Sequence, residues 1–125
     1  MKLLLDTHVL LWWLNDSAEL SDRLKSLIAD PENLVYVSAV SLWEIVIKES
    51  LGKLKMPKKW ELAVQDKSFR RLTVTWEHAL KVAELPEIHR DPFDRLLVAQ
   101  ALVEGLTLIT NDDRICRYPG DILNK

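Results

Sequence analysis

Only one cysteine, three glycines and five prolines occur among the 125 residues. The single thiol, Cys116, has no internal partner, which excludes small disulfide scaffolds and suits a reducing cytoplasm; it reads as an ordinary loop thiol. Scarce glycine and proline exclude collagen-like and low-complexity chains. Neither charge sign dominates: 17 Lys+Arg stand against 19 Asp+Glu, a net charge of −2, so the chain lacks the global basic field of many nucleic-acid binders. No apolar run approaches the ~20 residues that span a bilayer. The aliphatic residues 3–5 are followed by Asp6 and His8 before a signal-peptide core can form, so no membrane role and a cytoplasmic location are expected.

What is present is a globular balance, 48% hydrophobic and 29% charged. A chain of this length buries roughly two-thirds of its unfolded surface, and one domain over residues 1–125 is expected. Residues 3–5 read as a strand buried on both faces, followed by a helix carrying Val9, Leu10, Trp13 and Leu14. Ser21 caps a second helix that Asp30 and Pro31 stop, and residues 34–37 form the next strand. Ser38 or Ser41 caps a helix with an apolar stripe of Leu42, Ile45, Val46 and Leu51, closed by Gly52. Pro57 stands near the first turn of a helix with Trp60, Leu62, Ala63 and Val64. A third strand is expected at 72–74, then a helix capped by Thr75 with Ala79, Leu80 and Ala83. Asp91 and Pro92 open the clearest helix, closed by Gly105, and a fourth strand spans 106–110. Alternating strands and helices predict an α/β fold, a three-layer α/β/α sandwich around a mainly parallel sheet.

Ligands of open parallel sheets bind beyond the carboxyl ends of the strands. Asp6, Glu44, Asp94 and Asp112, far apart in sequence, are all expected at that edge. Such a cluster requires protonation, basic partners or a cation. Hard oxygen donors without paired His or Cys favour Mg²⁺, with Mn²⁺ the alternative, and suggest metal-assisted phosphodiester hydrolysis. Each residue also has a plainer role. Asp94 and Asp91 can both satisfy first-turn N–H groups, capping being the favoured role for Asp91; Asp112 and Asp113 suit a turn, and Glu44 a solvated helix face. Asp6, directly ending an aliphatic strand, is costly there unless paired or ligated.

Four segments, residues 3–8 (LLLDTH), 38–45 (SAVSLWEI), 91–101 (DPFDRLLVAQA) and 108–112 (LITND), form an ordered set that resembles the PIN-domain proteins, specifically VapC-type toxin ribonucleases of toxin–antitoxin systems. The resemblance implies a Mg²⁺- or Mn²⁺-dependent endoribonuclease with Asp6, Glu44, Asp94 and Asp112 as metal-site and catalytic residues. Asp6 and Asp94 would be the most direct ligands, and Thr110 would orient the pocket or form the turn. Asn111 stands where similar proteins often carry a basic residue, and Asp113 is a possible substitute ligand. The implied partners are an RNA substrate, a cognate antitoxin and a second copy of the chain, in a homodimer or a toxin–antitoxin hetero-oligomer.

Residues 48–59 hold five lysines against one acid, so Lys48 and Lys53 are candidate RNA contacts; Arg90 and Arg95, flanking Asp94, are candidates near the scissile phosphate. Either arginine can instead pair with a pocket carboxylate. Trp12 and Trp13 point about 100° apart, which places one at a partner surface. His8, His78 and His89 lack metal-like spacing and read as structural or exposed, His89 being also a candidate RNA contact. Two other functions fit the same residues: a non-toxin nuclease acting on RNA or structured DNA, and a catalytically silent binding protein whose carboxylates cap helices.

Overall fold

β-strand 1 contains three consecutive leucines because both of its faces are covered. In the computed structural model, which describes residues 1–65 and 68–124, β1 (Lys2–Leu5) leads into α1 (Thr7–Leu14), α2 (Asp22–Ala29), β2 (Leu34–Ser38), α3 (Ala39–Ser50) and α4 (Trp60–Gln65). Then follow β3 (Arg70–Leu72), α5 (Trp76–Lys81), a 3₁₀ turn (Val82–Glu84), α6 (Pro92–Glu104), β4 (Thr107–Ile109), a second 3₁₀ turn (Ile115–Arg117) and β5 (Ile122–Leu123). The sheet order is β3-β2-β1-β4-β5, with every pairing parallel. Side chains alternate across it. Leu3 and Leu5 of β1, Val35 and Val37 of β2 and Ile109 of β4 enter one core with α1, α2 and Ile45 of α3. Leu4, Tyr36 and Leu108 enter the other, against α6 and Tyr118. Two cores on opposite faces make the three layers.

The local signals act as their chemistry dictates. Ser21 caps α2 and Ser38 caps α3; Thr75 and His78 form a reciprocal capping box on α5. Asp91 accepts from the N–H groups of Phe93 and Asp94 at the start of α6, whose end is closed by Gly105 at φ +67°.

Several expectations are corrected. β3 lies at Arg70–Leu72, not 72–74, because pairing with β2 places Tyr36 opposite Arg70 and Ser38 opposite Leu72. Pro57 precedes α4 by three residues and is exposed, and Lys59 at φ +61° breaks the chain before the helix starts. On α3 the buried face is Val40, Ser41, Glu44 and Ile45, while Val46 and Leu51 are exposed. On α5 the inward residue is His78, hydrogen-bonded to Glu104, and Ala79 and Leu80 face outward; the helix ends at Lys81, so the exposed Ala83 falls in the 3₁₀ turn that follows. The short β5 has too little alternating pattern to be read from sequence. Trp12 and Trp13 are both half-buried against the α1 core, so their divergence does not expose either one completely. Cys116 lies in the second 3₁₀ turn. Among the described residues, no helix is long and apolar enough to cross a membrane.

Candidate metal centre

The chain adds β2 and β3 to one side of β1, then β4 and β5 to the other, so the winding direction reverses between β1 and β4. At such a point the connecting helices diverge and leave a crevice at the carboxyl ends of the two strands. Asp6 follows β1 there and Thr110 follows β4, and the Thr110 hydroxyl donates to Asp6 Oδ2 across the 104 residues that separate them. Asp6 Oδ1 accepts from the Val9 N–H at 2.8 Å, so the carboxylate that ends the strand also caps α1. Only 3% of Asp6 is exposed, and burial pushes its carboxyl above the usual range despite both donors.

Glu44 reaches the same edge from the buried face of α3. It is 2% exposed; Lys48, one turn on, pairs with Oε2, and Oε1 is buried without a partner. This hydrogen bond to Glu44 raises the Lys48 ammonium, with smaller contributions from the charges of Glu44, Asp91 and Asp94. Asp94 comes from the first turn of α6. Its carboxyl is pushed up to about 6, first by burial and then by the negative charge of Asp91, with Asp6 and Glu44 contributing; a hydrogen bond from His89 Nε2 to Oδ2 at 2.8 Å opposes the rise. Asp112 closes the crevice from the loop after β4. Its N–H donates to Thr110 Oγ1 at 3.0 Å, while Arg114 grips both carboxylate oxygens and holds the carboxyl below its ordinary value.

Asp6, Glu44 and Asp94 thus share one field of mutual repulsion, and Asp112 approaches the same centre through His89, whose Nε2 lies 3.9 Å from Asp112 Oδ2. His89, Asp94 and Asp112 each offer one donor atom, all within 4.8 Å of one another. Sequence spacing concealed His89 because it is five residues from Asp94 across a helix boundary; its position just before the Asp91 cap was the available signal.

A divalent cation fits this donor set. A buried, unpartnered carboxylate oxygen and carboxyls raised first by burial and then by neighbouring negative charge are both relieved by a hard cation, and oxygen donors are what Mg²⁺ and Mn²⁺ accept. Asp91 spends one oxygen on two N–H groups of α6, and Asp113, which accepts from Asn124 Nδ2 at 3.4 Å, lines the same cavity as Asp6 and Asp112.

The proposed phosphate contacts are unequal. Lys48 is engaged by Glu44, whereas Lys53 is exposed on the wall of a cavity of about 280 Å³ that also touches Thr7, His8 and Glu44. Arg90 is exposed. Arg95 is not available for a scissile phosphate: its guanidinium donates to the carbonyls of Val82, Pro86 and His89 and to Tyr118 Oη, fastening the segment before α6 onto that helix. Thr110 is fully buried and orients Asp6 and Asp112.

The PIN domain family model matches residues 3–121. Ribonuclease VapC22 of Mycobacterium tuberculosis is 30% identical over 115 residues, covering 90% of this chain and 88% of that protein. The structure of VapBC2 from Rickettsia felis bound to a DNA fragment from their promoter superposes with a TM-score of 0.72 at 19% identity, covering 100% of this chain and 99% of that one. DNA-bound VapBC from Salmonella typhimurium gives 0.69 at 19%, covering 98% and 97%, and FitAcB from Neisseria gonorrhoeae gives 0.64 at 20%, covering 98% and 96%. With the fold shared end to end and the family model running from β1 to the residue before β5, the chain belongs to the PIN-domain family.

Proposed function

We propose that this protein is a divalent-metal-dependent endoribonuclease of a single domain, acting as the toxin of a toxin–antitoxin pair in the cytoplasm. The observation that carries the reading is the convergence of Asp6, Glu44, Asp94 and Asp112 from four separate elements on the crevice between β1 and β4, with one buried oxygen of Glu44 left unpartnered. The likeness to Ribonuclease VapC22 supports RNA as the substrate. Asp6 and Asp94 are the principal metal ligands, with Glu44 and Asp112 completing the acidic pocket. When bound, Mg²⁺ or Mn²⁺ supplies charge stabilisation for a pentacoordinate phosphate and acidifies the attacking water. Thr110 keeps Asp6 aimed into the crevice by its hydroxyl bond, and Lys48 sets the rotamer of Glu44. Lys53 and Arg90 provide cationic contacts for the phosphate backbone on either side.

The partner half of the proposal is supported by the VapBC and FitAB assemblies among the structural relatives. Exposed apolar side chains are compatible with it: Trp76 is 87% exposed and Leu80 68% on α5, and Trp43 and Val46 are exposed on α3. These exposed apolar side chains on two helices are candidate contacts for an antitoxin or a second copy.

The test is cleavage of a mixed RNA pool with Mg²⁺ or Mn²⁺, with EDTA, and by Asp94→Asn, alongside a panel of structured DNA. Cleavage that is lost in EDTA and falls at least 100-fold in a folded Asp94→Asn is expected. Full activity of that variant would overturn the site; cleavage of DNA alone would overturn the substrate. Calorimetry showing no specific Mn²⁺ uptake would leave the four carboxylates as helix caps and ion pairs.

A further inference from the structure

We infer that His89 supplies an imidazole nitrogen to the same divalent cation as Asp94 and Asp112, biasing the centre towards Mn²⁺ over Mg²⁺. The inference rests on the metal-centre reading above and adds the identity of one ligand. Three observations carry it. The first is proximity: His89 Nε2 lies 2.8 Å from Asp94 Oδ2 and 3.9 Å from Asp112 Oδ2. Neighbouring donors on an octahedral ion with bonds of about 2.1 Å stand about 3 Å apart and opposed donors about 4 Å, so both separations lie close to what one ion requires.

The second is that the main chain carrying this imidazole is fixed through both its N–H and its carbonyl, while the ring itself meets Asp94. The His89 N–H donates to Tyr118 Oη at 2.9 Å, and Tyr118 Oη donates in turn to the His89 carbonyl at 3.2 Å. Arg95 then donates to Tyr118 Oη at 3.2 Å and to the carbonyls of Pro86 and Val82 at 3.0 and 3.2 Å. Tyr118 is 4% exposed, so the hydroxyl at the centre of this clamp is fixed by the core. A surface histidine that merely pairs with an aspartate needs no such support, whereas a ligand must be pre-positioned to within a fraction of an ångström.

The third is unfilled coordinating capacity. Glu44 Oε1 is buried without a partner in the same electrostatic cluster as Asp94. Asp112, though gripped by Arg114, is held by a guanidinium whose side chain is 60% exposed at the rim. Carboxylates alone would serve Mg²⁺ and Mn²⁺ alike. Imidazole is a softer donor that Mg²⁺ accepts poorly and Mn²⁺ accepts readily, so a nitrogen in the ligand set is what would separate the two ions.

Pulsed electron paramagnetic resonance on the full chain loaded with Mn²⁺ decides the matter, because a directly bonded imidazole imprints a ¹⁴N modulation on the Mn²⁺ echo. The modulation is expected in the wild type and in His8→Gln, the other imidazole at the crevice mouth, and is expected to vanish in His89→Gln. The same variant should weaken Mn²⁺ binding by about 10-fold or more while changing competition by Mg²⁺ less than about threefold. Bound Mn²⁺ without ¹⁴N modulation, or modulation that survives His89→Gln and disappears in His8→Gln, would overturn the inference and leave the metal centre standing. Failure of the wild type to bind Mn²⁺ would instead overturn the metal-centre reading. If His89→Gln does not fold, ¹⁵N-histidine labelling of the folded His8→Gln protein gives the assignment, since His78 is fully buried against Glu104 and Gln100.

Discussion

Asp94 carries the clearest titration in the molecule. Its carboxyl stands near 6 in the folded protein against 3.8 when unperturbed, so between about pH 4 and 6 the folded state retains a proton that the unfolded chain has released. Metal-free stability from this group is therefore greatest below that interval and is lost as pH rises through it. Asp6 shifts in the same direction, while Asp112, held down by Arg114, contributes stability that is lost as pH falls. Asp94→Asn removes the repulsion without changing shape. We expect its stability relative to the wild type to grow by on the order of 2 kcal/mol between pH 4 and 7 in EDTA, measured by denaturant unfolding. A constant difference across that range would show that Asp94 titrates normally. The carboxylates were legible as residues because an acid that ends an aliphatic strand, or follows one by two positions, stands where a parallel sheet exposes its ends. His89 was not legible, since nothing in its spacing distinguishes it from an exposed loop residue.

At the scale of elements, the site depends on how α3 and α6 are tied together. Ser38 ends β2 and caps α3 through the Val40 N–H at 3.0 Å, and its hydroxyl donates to Gln100 Oε1 of α6 at 2.6 Å, fully buried. One side chain thus couples the helix that carries Glu44 to the helix that carries Asp94. Ser38→Ala loses the cap and leaves a buried amide oxygen unpaired, for an expected loss of about 2 to 3 kcal/mol in denaturant unfolding with an unchanged m-value. A loss below about 1 kcal/mol would mean that the cap alone is affected. The caps themselves could be read from sequence, because Ser21, Thr75, Asp91 and Gly105 act on N–H and C=O groups within four residues. Which face of α3 or α5 turns inward could not. Val46 and Leu80 are apolar and exposed, while Glu44 and His78 are polar and buried, Glu44 paired with Lys48 one turn along its own helix and His78 with Glu104 of α6.

At the scale of the whole molecule, the net charge of −2 is a metal-free count. A cation that binds only the assembled crevice stabilises the fold by mass action, by about 2.7 kcal/mol when its concentration is 100 times Kd. The thermal midpoint is accordingly expected to rise with Mn²⁺ in the wild type and to respond at least 10-fold more weakly in Asp6→Asn, which retains a side-chain oxygen for the α1 cap. Equal responses by differential scanning fluorimetry would place the cation elsewhere.

Sequence by itself determined most of the element types, most of the caps and the parallel α/β class, and singled out four acids as candidates, because each follows from local periodicity or from chemistry within a few residues. Tertiary structure decided the rest. It placed β4 beside β1, which brings Thr110 to Asp6; it left Glu44 Oε1 without a partner, turned Arg95 from a phosphate contact into a clamp, and set His89 between two aspartates. These outcomes depend on strand order and on contacts made across the chain, which no spacing within a single segment encodes.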